Sequence, residues 1–130
     1  MSSIAKRPDL TATHKEIVQY AREWVCYAAS HGLNAALNLL DRRDSEPPWS
    51  EEFVGTLSEN HFGDGAKGVI SDPSGHGDLR VEAYEFNDGS GFAVDHDLAM
   101  NGKRSDFTAQ FEFIKSNSGF QIYLTDIHVL

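Results

Sequence analysis

The sequence predicts an α+β domain: N-terminal helices packed on one face of a C-terminal four-stranded antiparallel meander. Two observations predict it. In the first half, apolar residues recur at helical spacing behind capping signals. In the second half, three turn signals, each chosen independently, agree on a single apolar sheet face. The length agrees, since 130 residues make one domain. A chain of this size buries roughly two-thirds of its unfolded surface without a covalent staple. Its hydrophobic fraction of 40%, with eight Phe, supplies the core.

Residues 1–12 read as a mobile arm, and residues 13–130 as one domain. Thr13-His14-Lys15-Glu16 is a capping box, in which the Thr hydroxyl and the Glu carboxylate cover each other's backbone N–H. Ile17, Tyr20, Ala21, Trp24 and Ala28 follow at helical spacing, and Gly32 ends the helix as a left-handed cap. A second helix is expected over 33–42, stopped by Pro47-Pro48. Ser50 caps a third, with Glu51 and Glu52 in its first turn and Phe53, Val54 and Leu57 facing inward. Residues 60–78 hold five glycines and read as loop, with a short strand at 68–71.

Three turns then set the meander. Asp88-Gly89 pairs Val81 with His96 and Ala83 with Val94; Asn101-Gly102 pairs Val94 with Ala109 and Phe92 with Phe111. Asn117-Ser118 pairs Phe113 with Ile122 and Phe111 with Leu124. A one-residue slip at any turn would break the common apolar face. The parity changes after Leu124, which predicts a bulge near Thr125 and Asp126.

The net charge is −9 and uneven. Residues 46–97 hold twelve acids against Lys67 and Arg80, while the rest is nearly balanced. Such a surface disfavours a nucleic-acid backbone and favours a basic partner. The single cysteine, Cys26, excludes an intrachain disulfide and fits a reducing compartment. No stretch approaches the ~20 apolar residues of a membrane span, and the N-terminus has no apolar signal core. The expectation is a cytoplasmic protein with no membrane and no nucleic-acid partner.

The stretch 84–97, YEFNDGSGFAVDHD, ends in Asp95-His96-Asp97. Strand residues alternate between faces, so the two aspartates point outward and His96 inward. The three cannot share one metal. Asp95 and Asp97 stand beside Arg80 and Glu82, and Glu82 opposite Asp95 is a like-charge pair costing up to about 1 kcal/mol. A solvated face relieved by a nearby cation is the plain explanation; a face awaiting a partner's Lys or Arg is the functional one. The loop 72–78 alternates oxygen ligands but lacks calcium-loop spacing and a distal Glu. Phosphate-binding loops, dinucleotide fingerprints and nucleophile elbows are absent from the sequence. No catalytic residue, metal ligand or cofactor is therefore assigned.

In element order, size and acidic sheet edge (EAYEFNDGSGFAVDHD), the chain resembles small bacterial immunity proteins of toxin–immunity pairs. The resemblance implies neutralisation of a basic protein, such as a toxin domain, by occlusion. Glu51, Glu52, Glu82, Glu85, Asp88, Asp95 and Asp97 would meet its cations, with Tyr84 and Phe86 as apolar anchors. The alternative is an NTF2-like small-ligand protein or enzyme, with a pocket between helices and sheet around His96. A third is an oligomeric scaffold joined through Tyr84 and Phe86.

Overall fold

The computed structural model describes residues 7–41, 49–59, 68–75 and 79–129. Helices α1 (His14–His31), α2 (Leu33–Leu37) and α3 (Glu51–Ser58) precede β1 (Val81–Glu85), β2 (Gly91–Met100), β3 (Lys103–Ser116) and β4 (Gly119–Val129). The strands form one antiparallel sheet in the order β1-β2-β3-β4, so the meander is as the sequence predicts. The Pro47-Pro48 stop and the glycines of 60–67 lie outside the described residues.

The capping box at Thr13 forms, with both reciprocal bonds present. α1 buries Ile17, Tyr20, Ala21, Trp24, Val25 and Ala28 against the sheet. Trp24 meets Phe111 edge-on at 5.3 Å and Tyr20 meets Phe113 at 5.9 Å, the arrangement favoured by ring quadrupoles. Trp24 Nε1 donates to Ala36 O at 2.8 Å, which ties α1 to α2. Gly32 ends α1 with φ 94° but an extended ψ of 150°, so its cap is not left-handed helical. α2 is shorter than the sequence suggests: it stops at Leu37 and passes into a turn. Ser50 caps α3, accepting from Phe53 N at 3.0 Å. Phe53 is a correction: it is 37% exposed and lies edge-on to Trp49, while Val54 carries the inward contact.

Two of the three hairpins have the expected register. Val81 pairs with His96, Ala83 with Val94, Phe113 with Ile122 and Phe111 with Leu124. The first loop is wider than expected: Phe86 N donates to Gly91 O, Gly89 N donates to Phe86 O, and Gly89 takes φ 74°. Adding one residue on each side leaves the register unchanged. Between β2 and β3 the sequence reading is off by two residues, for Val94 pairs with Phe111 and Phe92 with Phe113. The tight turn does form, with Asn101 at φ 55° and Gly102 at φ 78°. An irregularity between Asp97 and Ala99 then shifts the register. A two-residue shift preserves parity, so the same apolar face results. The second irregularity falls where expected, with Thr125 left between the Phe111–Leu124 and Gln110–Asp126 pairs.

The two edges of the sheet differ. Beside β4, Asp41 N donates to Ile122 O (2.8 Å) and Asp41 Oδ2 accepts from Ile122 N (2.9 Å). Arg7, near the end of the N-terminal arm, bonds Asp41 Oδ2 at 2.7 Å, Leu39 O at 2.6 Å and Phe120 O at 3.3 Å. Beside the far end of β2, segment 68–71 forms a single bridge, Ile70 to Met100, with Ser71 N donating to Ala99 O. The expected strand there is this one bridge. Among the described residues, β1 borders only β2.

Candidate functional site: the outer face of the sheet

Alternation places Arg80, Glu82 and Tyr84 on the face away from the helices, beside Asp95 and Asp97 of β2 and Thr108 and Gln110 of β3. Arg80 sits at the centre. Its guanidinium lies 3.4 Å from Glu82 Oε2, 3.8 Å from Asp95 Oδ2 and 3.6 Å from Asp97 Oδ1. Its backbone N–H donates to Asp97 Oδ2 at 3.3 Å. Thr108 Oγ1 donates to Asp97 Oδ1 at 2.8 Å, and Gln110 Nε2 to Asp95 Oδ1 at 3.1 Å. Burial pulls the Arg80 pKa down, but Asp97, Glu82 and Asp95 outweigh it and leave it raised. The like-charge pair of Glu82 and Asp95 is thus relieved within the chain.

This network sorts the acids read from the sequence. The side chains of Asp95 and Asp97 are 20% and 14% exposed and committed to internal partners; Glu82 remains 47% exposed. Tyr84, also 47% exposed, donates its hydroxyl to Glu82, and that bond raises the phenol's pKa. Glu85 and Asp88 are exposed, and Phe86 is half-buried. Asp88 accepts from Ser90 N at 2.9 Å, and its hydrogen bonds to Ser90 lower its pKa. Glu52 is exposed in the first turn of α3, away from the hairpin in sequence; Glu51 opens the same helix. The outer face therefore brings Glu82 and Tyr84 together, braced from the side by Asp95 and Asp97, while Glu85 falls on the inner face and Asp88 in the hairpin loop.

Thr108 and Gln110 escaped the sequence reading. The shifted register hid them, because it set Asp97 opposite Asp106 instead of Thr108. Recognising the irregularity after Asp97 would have exposed both hydrogen bonds.

His96 lies on the core face, as expected, and is fully buried. Its Nδ1 is 2.7 Å from Asp97 O. A carbonyl only accepts, so the proton sits on Nδ1 and Nε2 carries a lone pair. That Nε2 has no hydrogen-bond partner among the described residues. Burial lowers the pKa to about 4, so the ring is neutral at physiological pH. A cavity of about 80 Å³ lies elsewhere, among Ala28, Leu33, Val54, Gly68, Val69 and Ile70, and those residues carry no titratable side chain. Burial also raises the Cys26 thiol, which keeps it protonated and unreactive. Among the described residues no cluster of His, Cys, Asp and Glu could hold a metal ion. No described helix is long and apolar enough to cross a membrane.

A family model described as a domain of unknown function (DUF7668) matches residues 28–130, and the chain belongs to that family. No curated protein and no solved structure matches it.

Proposed function

We propose that this DUF7668 domain is an acidic binding module that occludes a basic protein, in the manner of an immunity protein or inhibitor acting in a bacterial cytoplasm. One observation carries the reading: an exposed tyrosine, Tyr84, stands beside exposed Glu82 on a hairpin that also exposes Glu85 and Asp88, in a chain of net charge −9. An aromatic anchor inside a charged surround is the usual composition of an interaction hot spot. The charge steers a cationic partner and disfavours nucleic acid. Arg80, Thr108 and Gln110 hold Asp95 and Asp97 to internal partners and leave Glu82 the more exposed acid beside Tyr84.

The test is a pull-down from source-cell lysate at physiological salt, read by mass spectrometry, with Tyr84→Ala/Glu85→Lys as control. Both positions are exposed, so folding should persist. The expected result is one basic protein held by the parent and lost by the variant. Tyr84→Ala alone should weaken that complex by about 2 kcal/mol or more. Identical captures from both proteins would reject this surface.

A second reading, a ligand-binding protein of NTF2-like form, is favoured by one observation, the unpartnered Nε2 of buried His96. Its test is ligand-induced perturbation of the His96 ring resonances. Unchanged resonances across a panel of small polar ligands would reject it.

A further inference from the structure

We propose that the partner engages the open edge of β1 by strand addition, through an extended segment that alternates basic and apolar residues. This rests on the basic-partner reading and says how the partner is held.

The backbone decides which groups the edge offers. Phe86 N donates to Gly91 O and Asp97 N to Arg80 O, both at 2.9 Å. Both contacts continue the β1–β2 register, so the ladder bonds fall at positions 80, 82, 84 and 86. The alternate residues Val81, Ala83 and Glu85 therefore turn N–H and C=O outward. No hydrogen bond from another described residue reaches those outward groups. The opposite edge is treated differently: Asp41 occupies both backbone groups of Ile122, and Arg7 caps Phe120 O. Among the described residues, the edge of β4 is capped at Phe120 and Ile122, and that of β1 has no such cap.

The side chains beside the edge select the occupant. An added strand lays alternate residues on the two faces of the sheet. On the outer face it would run beside Glu82 and Tyr84, which suit Lys or Arg. On the inner face it would run beside Val81 and Ala83, half-buried and packed on the core, which suit apolar residues. A second copy of this chain is a poor occupant, because two chains of charge −9 repel. Main-chain bonds then give affinity and the alternating side chains give specificity.

The probe is a synthetic peptide alternating lysine and valine, with a serine-for-lysine counterpart as control. Binding is followed by amide hydrogen exchange and by titration calorimetry. The parent should bind the lysine peptide and slow exchange at Val81, Ala83 and Glu85. Ala83→Pro removes an outward N–H without touching the β1–β2 ladder. It should keep the parent's melting temperature and lose about tenfold or more in affinity. Should that variant misfold, Ala83→Lys, which puts a charge into the strand's inner face, should cost the same affinity. Equal binding by either folded variant overturns the edge and leaves the acidic-surface reading standing. Equal binding of the serine peptide overturns the basic partner instead. Failure of the lysine peptide on the parent, or protection of β1 by self-association, also overturns strand addition; the pull-down then decides the acidic surface.

Discussion

At the scale of single residues, His96 is the group whose chemistry departs furthest from its solution behaviour. Its pKa falls from 6.5 to about 4 because burial penalises the charged ring, and the nearby Arg22 cation lowers it further. The Asp97 carbonyl and carboxylate oppose both. The unfolded chain binds its proton near 6.5, whereas the folded chain resists until about 4. The stability that neutral His96 supports is therefore fully present above pH 6.5 and is lost as pH falls from there toward 4. The shift corresponds to about 3 kcal/mol. His96→Leu should flatten this acid limb, measured as the urea midpoint against pH; an unchanged slope would refute the assignment. Gly91 is the other singular position. A Cβ there would lie 1.9 Å from Phe113 O, at a φ of 158°. Backbone must move to admit it, so Gly91→Ala should cost more than about 2 kcal/mol, whereas Gly89→Ala meets no atoms and strains only its own φ of 74°. Equal midpoints for the two variants would contradict the close approach of β2 to β3.

At the scale of elements, what was legible in the sequence was what depends on parity and capping. The Thr13 box, the α1 stripe, the turn positions and the bulge beside Thr125 each have a local cause, and each formed. What was not legible depends on a register that one irregularity resets. The offset after Asp97 moved the facing residues by two and concealed Thr108 and Gln110, so the candidate surface was legible as acidic but not as a braced network. Phe53 misled because a short helix's apolar positions need not all reach the core; its ring stays 37% exposed with its edge contact on buried Trp49. The closure of the β4 edge was also invisible, since it joins Asp41 to Ile122 across 81 positions. That closure makes a prediction. Asp41→Ala removes the carboxylate that accepts from both Arg7 and Ile122 N. It should destabilise the domain by about 1–3 kcal/mol, the cost of stranding those donors. It should also speed amide exchange at Ile122 while leaving β1 unaffected. Unchanged exchange at Ile122 would show that the clamp does not hold the edge.

At the scale of the whole molecule, salt separates folding from binding because the two respond to charge in opposite senses. Residues 46–97 carry twelve acids against only Lys67 and Arg80, and those exposed among the described residues, Glu52, Glu82, Glu85 and Asp88 with them, add like, mutually repelling charge to the surface. Screening relaxes that repulsion, and at about 0.15 M the Debye length is already only about 8 Å. The Arg80 network opposes this trend, because its attractions are screened as well. Its charges are partly buried, however, with Asp97 only 14% exposed, and buried pairs lose less to screening than exposed ones. The long-range repulsion is therefore removed first, and the melting temperature should rise by a few degrees between roughly 0.02 and 0.3 M salt, as expected for about 1 kcal/mol in a domain of this size. Association with a cationic partner depends on the same exposed charges with the sign reversed, so its rate constant should fall about tenfold or more over that range. Sodium chloride titrations of melting temperature and of peptide association rate, run side by side, make the comparison. Opposite slopes would show that the same exposed acids both repel one another in the fold and draw the partner. Parallel decline would mean that Arg80 and its carboxylates dominate the stability of the fold. The acidic half would then be structural, held for its internal pairs and not for a partner.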